Sequence, residues 1–338
     1  MSTNSQSICI VGAGPAGLVC ALALAQKGIL PRIFDQSAKH GTRSRATGLK
    51  PETMALLDKL GVGNTIRAMA TPIYGSYQSY AGKPLRYIPF ADKSAPHCDN
   101  LSLNQSDTEA VLIEALEKTA GLKVEWGRAV KLGVGKLQVQ GFAPVSPCVI
   151  IAADGRFSTI RAAAGITTDK TQDDEISFGC DATVTTPNAL DHTAMHQMFG
   201  PEGRVVFVPL PAKNRYKISG TFSKTVAHYE VPDAAAMQNL VHGRTGLCID
   251  NVDDVFLYRL GSVRAKRLYK GPVVLAGDSA QTFYPNGGFG LNTAMQQAAD
   301  LAHTLASRQP LQAYEARWQT AVDAMFAEMT RLRMAAPK

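Results

Sequence analysis

The chain has 338 residues, 45% of them hydrophobic and 19% charged, which suits one or two domains with a sizeable core and excludes a disordered or fibrous chain. The formal net charge is +7, but the basic residues are scattered, so an anionic cofactor, nicotinamide donor or acidic substrate accounts for the excess better than nucleic acid. No apolar stretch reaches membrane-spanning length, and Met1-Ser2-Thr3-Asn4-Ser5-Gln6 lacks the basic start and apolar core of a signal peptide, so a cytoplasmic protein without an integral membrane segment is expected.

The first element is the apolar run Ile8-Cys9-Ile10-Val11, a buried parallel strand. It leads directly into Gly12-Ala13-Gly14-Pro15-Ala16-Gly17 and a helix from Leu18 to Lys27, the strand, turn and helix that a dinucleotide fingerprint requires. Gly12 permits the tight turn, Gly14 lets the backbone approach a pyrophosphate, and Gly17 allows helix to pack on strand, while the free N–H groups at the helix start bind the anion. The strand Pro31-Arg32-Ile33-Phe34 ends in Asp35, which can accept from adenosine ribose hydroxyls. Arg43 to Pro51 opens a helix from Glu52 to Leu60, and Asp107 to Thr119 and Lys123 to Trp126 read as helix and strand. Val149 to Ala153 is a strand running into the turn Asp154-Gly155 and a further helix. From Ile176 to Arg259 the texture changes to short strand-like runs separated by turn residues. A last strand, Val273 to Ala276, enters a second glycine-rich segment, Gly277-Asp278-Ser279-Ala280 with Pro285 and Gly287-Gly288-Phe289-Gly290-Leu291-Asn292, before helices from Leu291 to Ser307 and around Leu311 to Arg333. None of Cys9, Cys20, Cys98, Cys148, Cys180 and Cys248 has C-x-x-C spacing, which favours reduced core thiols over metal ligands or disulfides.

An adenine dinucleotide follows from the fingerprint, which alone does not separate NAD from FAD. Taken with Arg43 to Pro51, the Asp154-Gly155 turn and the segment Gly277 to Asn292, however, the chain resembles the group A FAD-dependent aromatic monooxygenases, whose fold is that of p-hydroxybenzoate hydroxylase. The resemblance covers most of residues 7–165 and 255–325. It implies an α/β fold: a discontinuous Rossmann-like FAD-binding domain (1–70, 100–175 and 260–338) and a smaller mixed β-sheet substrate domain (71–99 and 176–259). By match, Gly12, Gly14, Pro15, Ala16, Gly17 and Asp35 hold the ADP half, Arg45, Asp154 and Gly155 lie by the pyrophosphate, and Gln105 contacts the flavin. Gly277 and Asp278 take the ribityl chain, Gly287, Gly288, Gly290, Leu291 and Asn292 present backbone N–H groups to the pyrimidine ring, and Pro285 lies beside the ring. Gln281 and Gln297 depart from the family pattern, which usually has histidine and aspartate there, and at 338 residues the chain is short for the family, so a short member without an extra C-terminal domain is expected.

The implied chemistry belongs to the cofactor. NAD(P)H, a transient co-substrate without a fingerprint of its own, reduces the flavin; oxygen adds at C4a, and the hydroperoxide passes its terminal oxygen to an aromatic or polyketide-like small molecule. No residue is assigned the oxygen chemistry, and no metal is expected: His192 and His196 are four apart, but the neighbouring texture is strand or loop, which separates them. Substrate candidates are Tyr74, Tyr80, His196, Met198, Phe207 and Phe283, each of which also reads as a packing residue. A monomer or homodimer is expected. Two other readings stay open: a related flavin enzyme such as a prenyl-chain reductase or a halogenase, although no W-x-W-x-I-P segment is present, and a non-catalytic flavin-binding redox protein.

Overall fold

The computed structural model describes residues 8–42, 46–91, 99–134, 136–222, 230–285 and 287–334. Arg45 and Cys98 lie outside these residues.

A six-stranded sheet runs in the order Tyr269–Lys270, Val273–Leu275, Val149–Ala152, Ile8–Val11, Arg32–Phe34 and Val124–Glu125. All neighbours are parallel except the first pair, with Ile8 opposite Val149 and Ile33 opposite Val124. Parallel strands are covered on both faces, which is why they read as unbroken apolar runs and not as alternation. The helix Pro15–Ala25 packs against Phe289–Ala306 and Gln105–Ala120, so elements from opposite ends of the chain share one core with these strands. Pro15 opens the first helix, where its missing N–H costs nothing, and Gly121 closes Gln105–Ala120 in the left-handed conformation.

The second large sheet has eight strands, in the order Gln281–Thr282, Ile249–Ala265, Thr168–Val184, Arg215–Thr221, Gly203–Pro209, Ala194–Gly200, Gly75–Tyr80 and Lys83–Pro89. Only Ala194–Gly200 and Gly75–Tyr80 pair in parallel. Its two long strands, Thr168–Val184 and Ile249–Ala265, are continuous across residues 175 and 260, where a division between domains was expected. The register between them shifts between Gln172 and Ile176. A small antiparallel sheet of Gly48–Leu49, Leu101–Ser102 and Thr71–Pro72 lies between these two sheets in the chain path.

Among the described residues of the 176–259 region, one element is not a strand. Ala234–Thr245 is a helix, capped by Asp233, whose carboxylate accepts from Ala236 N–H at 2.8 Å, and closed by Gly246 at φ +72°. It buries only Met237 and Val241, so its apolar stripe is too narrow to stand out in the sequence; the Asp233 cap and Gly246 stop were the legible signals. Those two side chains close a second core of Phe178, Cys180, Phe207, Tyr216 and Ile218.

Candidate active site

The two glycine turns touch. Gly12 adopts φ +106°, and a Cβ there would lie 2.2 Å from the Ala153 carbonyl oxygen; one on Gly17 would lie 1.9 Å from that of Gly12. Gly277, at φ +66°, packs so closely that an added Cβ would be 2.7 Å from Ala16 Cβ. Around Gly14, by contrast, nothing lies within 4 Å of where a Cβ would be, so this side of the turn is open to an approaching pyrophosphate at the helix N-terminus. Asp35 ties the turn down: its two carboxylate oxygens accept from Ala13 N–H and Ser37 N–H, each at 2.8 Å.

The Asp154 turn joins this assembly through hydrogen bonds. Asp154 accepts from Ser158 Oγ at 2.5 Å and Ile160 N at 3.2 Å, so its carboxylate builds the start of the helix Thr159–Ala163, and Gly155 takes φ +83°. Arg161, which carried no assignment from the sequence, is buried and donates to Ser279 O at 2.7 Å and Arg156 O at 3.0 Å. Ser279 Oγ donates to Ala152 O at 2.5 Å, so strand end, Asp154 turn and Gly277 turn are held as one unit.

Opposite them, Gly288 caps the helix Phe289–Ala306 at φ +61°, and the first-turn N–H groups of Gly290, Leu291 and Asn292 stand at the positive end of an 18-residue helix. The Asn292 side chain is spent on structure: its amide donates to Gly48 O and Gly288 O, and its oxygen accepts from Lys50 N. Lys50, also unassigned from sequence, places its ammonium 4.6 Å from the Phe289 ring centroid, and burial lowers its pKa. Gln105 donates to Glu109 Oε1 at 2.8 Å, and His40 Nε2 lies 3.2 Å from Glu109 Oε2; burial pushes the Glu109 carboxyl up. Beside Gln105, Ser102 Oγ and Asn104 Oδ1 are buried without a hydrogen-bond partner, as is Thr282 Oγ1 between the Gly277 turn and Pro285. Buried orphan atoms are uncommon. The open side of Gly14 and the helix start at Gly288 each suit a polar or anionic group.

The eight-stranded sheet has two chemically different faces. Directly opposed residues share a face, so Tyr77, His196, Phe207, Ile218 and Cys180 form one row. Phe207, Ile218 and Cys180 belong to the core under the helix Ala234–Thr245, with Phe207 fully buried; at the other end of the row the buried His196 stacks on the exposed Tyr77 at 5.2 Å, and its Nε2 donates to Asp191 O. Met198 alternates onto the same side and packs against that core. The register thus puts Phe207 and Met198 against the core under the helix and His196 beside Tyr77 on the same side of the sheet. Their neighbours point the other way. Tyr80 lies opposite Phe199, Phe199 opposite Arg204, Thr221 opposite Ser177, and Ser177 opposite Tyr258. Asp181 and Lys217, also opposed, form a buried ion pair at 2.5 Å on this same polar face. Burial lowers the Arg204 pKa and raises that of Tyr258, against the pull of Ser177 and Arg204.

The polar face looks toward the Pro285 turn. Ser262 follows Tyr258 by four residues in one strand and so shares its side. Its hydroxyl lies 2.6 Å from Thr171 Oγ1, which is 3.4 Å from the hydroxyl of Tyr284, the residue before Pro285. Phe283 turns away, packing on Phe289 and Phe326 with ring centroids 5.9 and 5.0 Å apart. Tyr74 is half-buried just ahead of Gly75–Tyr80, where its N–H donates to Thr193 O. His192 and His196 each direct Nε2 to a backbone carbonyl, Leu210 O and Asp191 O.

A family model described as an FAD binding domain matches residues 5–325. The chain is 29% identical over 328 residues to a flavin-dependent monooxygenase of Mycobacteroides abscessus, covering 89% of this chain and 67% of that one. It is 26% identical to a 6-methylpretetramide 4-monooxygenase of Streptomyces rimosus, covering 90% of this chain and 56% of the relative. The fold is also that of a crystal structure of the flavin-dependent monooxygenase PieE in complex with FAD and substrate, with a TM-score of 0.83, 21% identity, and coverage of 97% of this chain and 64% of the other. The chain therefore spans between about half and two thirds of the length of these relatives. Among the described residues, no helix is long and apolar enough to cross a membrane.

Proposed function

The chain belongs to the FAD-binding-domain family, and from that premise we propose that it is an FAD-dependent, NAD(P)H-consuming monooxygenase hydroxylating an aromatic or polyketide-like small molecule. The observation that carries the reading is the contact of Gly277 with Ala16, which joins the fingerprint and the late glycine turn into one cradle facing a polar sheet. In this reading Gly12, Gly14, Pro15, Ala16, Gly17 and Asp35 receive the ADP half, the turn carrying Asp278 receives the ribityl chain, and the N–H groups from Gly290 to Asn292 meet the pyrimidine ring. FAD, once reduced by NAD(P)H, supplies the activation of oxygen at its C4a position. The chain's own residues do the rest. The helix start at Pro15 would neutralise the pyrophosphate, the paired turns would hold the flavin end on the Pro285 side, and the sheet would position the substrate and exclude water. The substrate face is the polar one, with Tyr80, Arg204 and Tyr258 the specificity candidates and His196, Met198, Phe207 and Phe283 the packing behind it.

The test is oxygenation under labelled oxygen. Purified holoprotein given NADH or NADPH and a panel of phenols and polyketide-like aromatics is expected to return a product carrying one labelled oxygen atom, with donor oxidation coupled to product. A colourless protein that binds no FAD and yields no hydroxylated product across the panel sinks the reading.

A further inference from the structure

The two residues that depart from the family pattern meet each other. Gln281 Nε2 donates to Gln297 Oε1 at 2.8 Å, and Gln297 Nε2 returns a longer bond of 3.3 Å to Gln281 Oε1. Gln297 Oε1 accepts a second hydrogen bond, from the Gly277 N–H at 2.8 Å. Gln281 is 3% exposed, and Gln297 and Gly277 are buried, so water cannot replace these bonds. An amide is asymmetric: only its oxygen can receive Gly277 N–H. The bond back to Gln281 Oε1 requires an NH2 group on the other arm, and so selects the orientation that points oxygen at the turn.

The turn is poised to need such a hold. Gly277 sits at φ +66°, where an added Cβ would press on both Ala16 and Ala294, and the residue after it is Asp278. The Gln297 side chain comes from the helix Phe289–Ala306, whose first turn presents the other N–H groups of the cradle. One carboxamide thus links the turn that carries Asp278 to the helix that carries Gly290 to Asn292, with no hydrogen bond to Asp35 or to the fingerprint among those of the described residues.

We propose that Gln297 is a positioning residue for the flavin end of the cofactor, holding the Gly277–Ser279 turn through its Oε1, and that Gln281 sets the direction of the Gln297 amide. The proposal rests on the FAD reading of the cradle. It makes the two departures from the family pattern one device: a neutral amide pair that does the holding with no ionisable group.

The test separates the two halves of the cofactor. The full chain, stripped of flavin, is titrated with FAD and with ADP, which engages only the fingerprint half, in the parent and in Gln297→Met, Gln297→Glu and Gln281→Leu. Gln297→Met removes the acceptor at nearly constant volume and is expected to weaken FAD by about tenfold or more, the loss for one buried hydrogen bond, and to leave ADP unchanged. Gln297→Glu keeps acceptor oxygens for both donors and is expected to recover most of the FAD affinity; Gln281→Leu, which frees the amide to turn, is expected to fall between them. Unchanged FAD affinity in Gln297→Met overturns the proposal, and so does an equal loss of ADP and FAD, which would mean general packing. A parent protein that binds ADP and not FAD instead breaks the reading beneath it, and the two failures are distinguishable because the second appears without any substitution.

Discussion

The proposed cofactor cradle and the proposed substrate sheet obey different rules. The cradle is made of main chain: at Gly12, Gly17 and Gly277 an added Cβ would collide with a carbonyl oxygen or with another Cβ, so these positions accept no side chain at all. The sheet is made of side chains whose direction reverses at every residue, and a shift of one position exchanges Phe207 in the core for Val206 or Val208 on the polar face. The first arrangement fixes what is bound with little freedom to vary. The second leaves room for substitution on one face while the other keeps the sheet folded, so on the proposed reading cofactor and substrate specificity are physically separable.

The largest effect expected comes from attacking the packed face. Phe207→Ala removes a fully buried ring from the core under Ala234–Thr245 and should destabilise the protein by about 3 to 5 kcal/mol, seen in thermal or urea unfolding. FAD affinity of the folded fraction should be unchanged. If substrate affinity alone changes and stability does not, the assignment of this face to packing is broken.

Next comes the cradle. Gly12→Ala combines a left-handed backbone with a contact to immovable main chain, so roughly 1 to 2 kcal/mol of conformational strain adds to roughly 1 to 3 kcal/mol of overpacking. Flavin content of the purified variant is the readout, expected to be near zero. Full occupancy would show that the turn relaxes, and the contrast between backbone-built and side-chain-built regions would lose its sharpest case. A smaller effect is expected for Asp278→Ala, a loss of about tenfold to a hundredfold in FAD affinity with ADP affinity retained, measured by titration of the flavin-free chain. Equal FAD affinity in the variant and the parent would move the ribityl site away from Asp278.

Why the two regions differ in legibility follows from the same physics. The turns at Gly12, Gly17, Gly277 and Gly288 are legible because a turn that forbids or strains a side chain leaves glycine at a set distance from a strand and a helix, and such spacing survives in one dimension. His196, Met198 and Phe207 look like pocket residues in the sequence, yet their side is decided by register with strands far along the chain, such as Ile218 and Cys180. Arg204 and Tyr258, each one residue from an apolar run, carry no local sign that they share a face. Gln281 and Gln297 were visible as departures, but only contact across 16 residues shows that one answers the other.

The faintest expected effect tests the packed face by protonation. Burial holds the imidazoles of His192 and His196 below their ordinary value of 6.5, opposed by hydrogen bonds to Leu210 and Asp191 and by the Asp191 charge. Both rings are therefore favoured neutral in the folded chain. Below pH 6.5 the unfolded chain binds more protons than the folded one, so this contribution to stability is present above about pH 6.5 and is lost as the pH falls. The slope is at most about 1.4 kcal/mol per pH unit for each ring. Asp181 and Glu109, raised by burial, act in the opposite sense, gaining stability as the pH falls toward their ordinary values of 3.8 and 4.5. Comparing His196→Gln with the parent cancels them, because both proteins carry both carboxyls. Unfolding free energies at pH 7.5 and 5.5 should therefore fall less in the variant than in the parent. An identical fall would mean that His196 takes up its proton in the folded state, as a ring in a wet, ligand-facing pocket would, and the division of the sheet into a dry face and a polar face would fail at that strand.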